Sequence, residues 1–245
     1  MNYELKIKKF LEWKFNDFTN SIEFHKTLNQ PYDPIGDSSN EMLHGIMYGT
    51  RCTGSAGAGW DTKDNGESKY SNFLQSRTCK NCKERVMFFL ETCPECGGCD
   101  FKDSPKDARW GINSKTHLKY VNEIKGYRLS LFEPIFYEPH CRIFKLRSWY
   151  IETKNDYLNE YAFRQNKNKS KNINLQPLKQ DFYFSSPCKH LEVTIDVGNN
   201  DITIDYFNIN NRIPETIPDE YKNRTMESIM ENKKFGKKRG NVNRN

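Results

Sequence analysis

Residues 57–69 read Gly57-Ala58-Gly59-Trp60-Asp61-Thr62-Lys63-Asp64-Asn65-Gly66-Glu67-Ser68-Lys69, and this stretch decides how the fold is interpreted. Closely spaced glycines lead into a short strand that begins at Trp60. Asp64-Asn65-Gly66 is a strong signal for chain reversal, so Glu67–Tyr70 is expected to return as the second strand of a hairpin. The hairpin brings two acids and a lysine into one short segment.

The register of this hairpin decides which acid accompanies Glu67. Side chains alternate across a strand, so Glu67 and Lys69 must share a face. If Asn65-Gly66 is a two-residue loop, Asp64 pairs with Glu67 and Asp61 turns to the opposite face. If Asp64-Asn65-Gly66 is a three-residue loop, Asp61 joins Glu67 and Lys69. We favour the three-residue loop, because it gives Gly66 a left-handed position and leaves Asp64 as a solvated turn acid.

Two carboxylates and a lysine on adjacent strands have a recognised chemistry. The carboxylates can hold Mg²⁺, which polarises a phosphodiester and stabilises the attacking and leaving oxygens. A nearby lysine can stabilise the developing negative charge or lower the pKa of the attacking water. The alternative is a solvated hairpin of charged residues, because a short acid-x-lysine motif also occurs by chance.

Asp61 followed by Glu67-Ser68-Lys69 resembles the motif of the PD-(D/E)xK nuclease superfamily, which includes the type II restriction endonucleases. Trp60 stands where that family has proline, and the spacing from Asp61 to Glu67 is short. The resemblance implies an α/β fold with a restriction-endonuclease-like mixed sheet flanked by helices. It also implies Mg²⁺-dependent hydrolysis of double-stranded DNA at a specific site by a homodimer. Asp61, Glu67 and Lys69 would be catalytic, with Mg²⁺ held by Asp61 and Glu67.

Two further acids are candidates for the same site. Asp64 would replace Asp61 if the loop has two residues. Glu41 follows Ser38 by three residues, which is the spacing of a capping box at the start of a helix that runs to about Gly49. Glu41 is therefore either a helix-capping residue, which we favour, or an additional carboxylate of the metal site.

Cys79-Lys80-Asn81-Cys82 and Cys93-Pro94-Glu95-Cys96 form two CxxC turns separated by ten residues. This is the layout of a zinc ribbon, in which a hairpin brings two pairs of thiolates around one tetrahedral Zn²⁺. Alternation of Val86, Phe88 and Leu90 predicts that hairpin. Four thiolates close the coordination sphere, so the zinc would be structural. Disulfides are the alternative, and the lack of a secretion signal argues against them.

Basic residues around the cysteines are candidates for contacts with a DNA backbone. The ribbon either pins an insert within the fold or carries these residues onto DNA, and the sequence leaves both alternatives open. The candidates are Arg77, Lys80, Lys83 and Arg85 in the ribbon, with Lys115 in the segment that follows it.

Hydrophobic periodicity predicts the remaining elements. They are an amphipathic helix on Ile7, Leu11, Phe15, Phe18 and Ile22; a helix over Ser104–Lys125 ended by Gly126; central strands over Tyr127–Leu131 and Cys141–Thr153; a solvated loop over Asn166–Asn174; and a hairpin of Leu191–Val197 with Ile202–Phe207. We expect a nuclease domain over 1–230, a zinc-ribbon insert over 77–100, and a basic, disordered tail over 231–245.

Composition limits the class of protein. A chain of 245 residues can hold one domain with an insert, and a net charge of +6 with a pI near 8.8 is compatible with a nucleic-acid partner. No apolar run approaches the ~20 residues of a membrane helix and no signal segment is visible, so we expect a cytoplasmic protein without a membrane partner. Phosphate-loop and dinucleotide motifs are missing, so no nucleotide cofactor is expected. The alternative functions are a non-enzymatic zinc-ribbon nucleic-acid-binding protein and a structure-specific repair nuclease.

Overall fold

A computed structural model describes residues 2–30, 33–53, 61–72, 76–102, 110–135, 141–153, 158–159, 162–163, 167, 172–175 and 190–208. The glycine-rich approach with Trp60, the predicted Ser104 helix start and the predicted tail over 231–245 lie outside these residues. Within the described part of the chain, no helix has the length and apolar character needed to cross a membrane.

Among the described residues, two long helices open the chain and a short one follows later. Helix α1 spans Tyr3–Thr27, α2 spans Gly36–Tyr48 and α3 spans Ser114–Tyr120. The apolar stripe predicted for α1 is confirmed, because its residues from Ile7 to Phe18 are buried in the main core.

The start of α2 differs from the predicted capping box. The carboxylate of Asp33, outside the helix, accepts hydrogen bonds from the backbone N–H groups of Ile35 at 3.0 Å and Gly36 at 3.2 Å. Ser38 already lies inside the first helical turns, so it is not the N-cap. The end is as expected, with Gly49 left-handed at φ 65°.

In the described ranges, the strands form one large sheet and two small ones. They are β1 (Gly66–Asn72), β2 (Arg77–Cys79), β3 (Arg85–Val86), β4 (Phe101–Lys102), β5 (Trp110–Asn113), β6 (Gly126–Pro134), β7 (Ile143–Glu152), β8 (Asn172–Leu175), β9 (His190–Asp196) and β10 (Asp201–Asn208). The large sheet has the order β1-β6-β7-β9-β10. β1 is parallel to β6 and the other neighbours are antiparallel. The prediction of a mixed α/β fold is confirmed, as is the β9–β10 hairpin.

Strand β6 is buried along most of its length because the described elements cover both faces of the sheet. On one face, the ring of Phe132 lies 5.6 Å from that of Phe15 in α1. On the other, Tyr127 meets His117 of α3, with 2.7 Å between the phenol oxygen and Nδ1. β1 lies beside this central strand and is an edge strand of the sheet. Most of its side chains are therefore only partly buried.

The segment before α3 is a strand, which corrects the predicted helix over Ser104–Lys125. Trp110 and Ile112 are buried while the residues between and after them are exposed, and this alternation is the period of a strand. The side chain of Asn113 caps α3 by accepting from the N–H groups of Lys115 and Thr116, so the helix begins only at Ser114. β5 pairs with β8, Asn172–Leu175, which overlaps the end of the tract over Asn166–Asn174 predicted to be a loop.

The cysteine module forms the three-stranded sheet β3-β2-β4 and is joined to the main core. Val86 packs with Cys79 and Cys93 in a small core, whereas Met87, Phe88 and Phe89 enter the large one. The predicted alternation of Val86, Phe88 and Leu90 on one hairpin is therefore wrong after Val86.

A pair of hydrogen bonds fastens the end of α1 to this junction. The Asn29 amide donates to the carbonyl of Arg85 at 3.0 Å and accepts from the N–H of Met87 at 2.8 Å. Asn29 is itself left-handed, with φ 50°, a conformation that asparagine tolerates better than most residues. The insert is thus built into the fold rather than appended to it.

Candidate functional site

The turn before β1 has three residues, but it lies one position earlier than predicted. Thr62 and Gly66 form an antiparallel bridge, which leaves Lys63–Asn65 as the loop. Asn65 takes the left-handed conformation, with φ 59°, and the N–H of Asn65 donates to the carbonyl of Thr62 at 3.0 Å. The expectation that Gly66 would be left-handed is wrong.

Position 66 requires glycine because there is no room for a Cβ atom, and not because of its backbone angles. A Cβ atom added there would lie 2.3 Å from Nη1 of Arg128 and 2.7 Å from Oγ1 of Thr62. Arg128 comes from the adjacent strand β6, where Gly126 is the register partner of Gly66. The glycine therefore lets a buried guanidinium cross the start of β1.

Asp64 is the partner of that guanidinium and not a solvated turn acid. Arg128 donates to the carboxylate of Asp64 and to the hydroxyl of Thr62, and its side chain is 2% exposed. Burial alone would raise the pKa of Asp64, but the hydrogen bonds from Arg128 and Thr62 and the charge of Arg128 outweigh burial and lower it. Asp64 therefore has a structural role as the partner of a buried arginine.

Asp61 lies across the outer edge of β1. One of its carboxylate oxygens accepts a hydrogen bond from the backbone N–H of Ser68, the residue between Glu67 and Lys69. The acid is therefore held by the same strand that carries the other two groups. The structure brings Asp61 to the Glu67–Lys69 segment, but not in the favoured register, which would place Thr62 opposite Ser68 and not opposite Gly66.

Glu67 and Lys69 share a face of β1, as strand alternation predicted. The Lys69 ammonium donates to the Glu67 carboxylate, and both side chains are partly buried, at 29% and 22% exposed. Burial raises the pKa of Glu67, the charge and hydrogen bond of Lys69 lower it, and the charge of Asp61 raises it further, for a net upward shift. The three groups therefore interact electrostatically.

Glu41 approaches the same groups from α2. Its pKa is raised by burial first and then by the negative charge of Asp61. Lys69 and Glu67 also act on Glu41 electrostatically. The capping-box interpretation of Glu41 is wrong, because the helix begins five residues earlier, at Gly36.

A cleft of about 250 Å³ separates α2 from the edge of β1. It is lined by Asp37, Asn40, Glu41, Asp61, Ser68, Lys69 and Tyr70. Asn40 is 1% exposed, and its Oδ1 accepts no hydrogen bond within the described part of the chain. Carboxylates are hard oxygen ligands of the kind that divalent cations prefer. No three of them in the described part of the chain lie as close together as the four cysteine thiols do.

Beneath the cleft lies a buried polar network that sequence reasoning missed. His44 of α2 contacts three serine hydroxyls on three adjacent strands: Ser68 at 2.7 Å from Nδ1, Ser130 at 3.0 Å from Nε2 and Ser148 at 2.9 Å from Nε2. Asn40 donates to the Ser68 hydroxyl at 2.7 Å. The available signal was the occurrence of serines within otherwise apolar strands, together with polar residues one turn apart on α2.

The four predicted zinc ligands do come together. Within the described chain, Cys79, Cys82, Cys93 and Cys96 are the one group of metal-ligating side chains whose ligand atoms all lie within 4.8 Å of one another. The Sγ atoms of Cys79 and Cys96 are 3.6 Å apart, and those of Cys82 and Cys93 are 3.5 Å apart. Tetrahedral zinc thiolates would place the sulfurs about 3.8 Å apart. The cluster could therefore hold a metal such as zinc.

The two CxxC turns have the same backbone geometry. The N–H of Lys83 donates to the carbonyl of Cys79 at 3.0 Å, and the N–H of Gly97 donates to that of Cys93 at 2.8 Å. Lys83 and Gly97 occupy equivalent positions and are both left-handed, with φ 68° and 69°. Hydrogen bonds, the strongest of them from the N–H of Cys82, lower the pKa of the Cys79 thiol to about 7. Such turns present thiolates to a cation.

The basic residues predicted to contact DNA have different surroundings. The guanidinium of Arg77 lies 4.2 Å above the ring of Phe101 and donates to the carbonyl of Leu90, so it supports the ribbon. Lys80 pairs with Asp100 at 2.8 Å. Three predicted contact residues, Lys83, Arg85 and Lys115, are exposed.

Comparisons with known proteins add no relative. No family model matches this chain. No curated protein and no solved structure matches it either.

Proposed function

We propose that this protein is a Mg²⁺-dependent endonuclease of the restriction type, which hydrolyses phosphodiester bonds of double-stranded DNA at a specific site. The observation that carries the proposal is that Glu41, Asp61 and Lys69 line one cleft at the edge of β1. Glu67 pairs with Lys69 and acts electrostatically on Glu41. In this proposal the mixed sheet with its flanking helices is a restriction-endonuclease-like core.

The acids and the lysine would have different roles in the reaction. Asp61 and Glu67 would hold Mg²⁺, with Glu41 as a further carboxylate from α2. The bound cation would polarise the scissile phosphate and activate water at neutral pH. Lys69, which pairs with Glu67 in this structure, would stabilise the negative charge that develops on the phosphate. No covalent intermediate with the protein is required.

The cysteine cluster would hold structural Zn²⁺. All four ligand positions would be filled by thiolates, so the zinc would have no open position for a substrate. Its support for the nuclease would come through Met87, Phe88 and Phe89, which belong to the same core as the sheet. Contacts between the ribbon and the DNA backbone would come from Lys83 and Arg85, which remain exposed.

The test is cleavage of phage and plasmid DNA by the purified full chain with Mg²⁺. Discrete fragments that depend on Mg²⁺ are expected from the native protein. Asp61→Asn, Glu67→Gln and Lys69→Met should each lower the cleavage rate by about 100-fold or more, with unchanged thermal stability and DNA affinity. Glu84→Gln is the matched control, because Glu84 is an exposed acid of the ribbon and should leave cleavage unchanged.

The other outcomes separate the alternatives. Full cleavage by Glu67→Gln would overturn the assignment of the site. Zinc-dependent DNA binding without cleavage in Mg²⁺ or Mn²⁺ would favour a non-enzymatic zinc-ribbon binding protein. Cleavage confined to branched or single-stranded DNA would favour a repair nuclease.

The proposal includes action as a homodimer on a short palindromic site. Two copies related by twofold symmetry would place one cleft on each DNA strand. Sedimentation of the protein with and without a cleaved duplex measures this directly. One copy per cleaved site would contradict the dimer and leave the chemistry of the cleft unaffected.

A further inference from the structure

We infer that Ser68 and His44 form a positioning pair that sets the distance between the acid on α2 and the acids and lysine at β1. The inference rests on the proposed function, because it concerns how the groups of that site are held together. Ser68 and His44 do not touch the substrate in this proposal. They act through Asp61 and Glu41.

Ser68 is the point at which the elements of the site meet. Its backbone N–H holds the carboxylate of Asp61, and its neighbours in the strand are Glu67 and Lys69. Its hydroxyl contacts His44 at 2.7 Å and accepts from Asn40 at 2.7 Å. One small residue therefore joins the loop that carries Asp61, the strand that carries Glu67 and Lys69, and the helix that carries Glu41.

The hydrogen bonds of this network tie one ring to three strands. The Ser68 hydroxyl accepts from Asn40 and contacts Nδ1 of His44. Nε2 of His44 contacts the hydroxyls of Ser130 and Ser148, and Ser130 donates to Ser148 at 3.1 Å. A neutral imidazole has one donor and one acceptor nitrogen, and these hydroxyls can satisfy both. The ring therefore fixes α2 against strands β1, β6 and β7 at once.

The network fixes the position of Glu41, because Asn40 and His44 lie on the same helix, α2. Asn40 is adjacent to Glu41 in sequence, and His44 lies one helical turn from Asn40. A shift of α2 along β1 would break the contacts of Ser68 and displace Glu41 from Asp61 together. Groups that orient metal ligands in this way commonly contribute about 10- to 100-fold to metal affinity or activity.

Ser68→Ala is the decisive variant, with Ser148→Ala as its matched control. Both remove one buried hydroxyl that contacts His44, but Ser148 lies on β7, away from the acids, and Ser130 still contacts Nε2. Ser68→Ala should weaken Mn²⁺ binding, measured by calorimetry, by about 10-fold or more. It should also accelerate hydrogen exchange of the α2 amides. Ser148→Ala should change neither property beyond its effect on global stability.

Ser68→Thr keeps the hydroxyl and should restore Mn²⁺ affinity, which separates positioning from a loss of folding. Equal effects of Ser68→Ala and Ser148→Ala on Mn²⁺ affinity and on exchange of α2 would overturn the inference. If the native protein binds no Mn²⁺ and cuts no DNA, the proposed function fails. Hydrogen exchange then still decides whether Ser68 and His44 hold α2 on β1, because unchanged exchange in Ser68→Ala would refute that as well.

Discussion

Arg128 and Asp64 form an ion pair in which the arginine side chain is 2% exposed and the aspartate side chain 30% exposed. The pair links the central strand β6 to the turn that leads into β1. Because the same turn places Asp61 beside Ser68, a structural ion pair determines where a candidate catalytic acid lies. Two acids three residues apart thus have different partners: Asp64 pairs with Arg128, and Asp61 accepts from the N–H of Ser68.

Asp64→Asn should destabilise the protein by about 2–4 kcal/mol, because it leaves the Arg128 charge buried without its counter-charge. Urea unfolding at neutral pH measures this free energy. Asp100→Asn is the control, since its partner Lys80 is 53% exposed and the loss of such a surface pair has little effect. Equal effects of the two substitutions would contradict the structural role of Asp64.

Gly66→Ala should destabilise the protein by about 2 kcal/mol, because the added methyl group overlaps the Arg128 guanidinium and the Thr62 hydroxyl. Gly111→Ala is the control within another strand, since a Cβ atom there meets nothing within 4 Å. Thermal unfolding compares the two. A neutral Gly66→Ala substitution would mean that Arg128 does not cross Gly66.

Stability should fall as the pH falls below about 6.5, because of His44. Burial, and then the charge of Arg128, hold the pKa of His44 well below its ordinary value. Below the ordinary pKa the unfolded chain takes up a proton that the folded protein refuses, so the unfolded state is favoured. The stabilisation is complete above that pH and decreases by up to about 1.4 kcal/mol per pH unit below it.

Urea unfolding between about pH 7.5 and 5.5 measures this slope, and comparison with His44→Gln isolates the contribution of His44. His117 acts in the same direction, since burial lowers its pKa, and His117→Gln measures its share. The raised pKa values of Glu41 and Glu67 act in the opposite direction and cancel in the comparison. An unchanged slope in His44→Gln would refute the prediction.

Removal of the metal expected at the cysteine cluster should destabilise the whole protein by about 3–4 kcal/mol. Cys93→Ser should have a similar effect, because Cys93 is buried in the small core with Cys79 and Val86. Thermal unfolding with and without a chelator, together with metal analysis, measures both. Cys99→Ser is the control, since Cys99 is exposed and outside the cluster.

Loss of structure confined to the ribbon would contradict part of this prediction. Met87, Phe88 and Phe89 belong to the main core, and the ring of Phe89 lies 5.6 Å from that of Phe18 in α1. Unfolding of the ribbon should therefore lower the cooperativity and stability of α1 as well. Hydrogen exchange in α1 separates the two outcomes.

Glu41→Gln should lower Mg²⁺-dependent cleavage by about 100-fold, since it removes a charge that acts on Asp61 and Lys69 without changing the shape of the side chain. A cleavage assay across a range of Mg²⁺ concentrations measures the rate and the Mg²⁺ requirement together. Glu23→Gln, an exposed acid of α1 paired with Lys26, is the control and should change neither. Unaltered cleavage by Glu41→Gln would show that α2 contributes no catalytic or metal-binding group to the site.

Local patterns in the sequence predicted much of this protein. The stripe of α1, the strands β6 and β7 and the hairpin of β9 with β10 follow from hydrophobic periodicity, because alternation and helical spacing are properties of the chain itself. The spacing of the two CxxC motifs likewise predicted that their four cysteines lie together. Strand alternation alone was sufficient to place Glu67 and Lys69 on one face.

Local patterns failed where a distant residue decides the conformation. Trp110 and Ile112 were assigned to a helix, but pairing with β8 makes them a strand. Gly66 was assigned a left-handed turn position, but the space it leaves is occupied by Arg128 from β6. Neither partner is close in sequence to the residue it controls.

The sequence by itself therefore determined that Asp61, Glu67 and Lys69 belong to one turn and strand, because their spacing is short and strand geometry is regular. Only the tertiary structure decided that Asp64 is a structural partner of Arg128, that Glu41 faces Asp61 and that His44 joins α2 to three strands. These relationships depend on charges and hydrogen bonds between segments that meet only after the sheet has formed, and no local pattern encodes them.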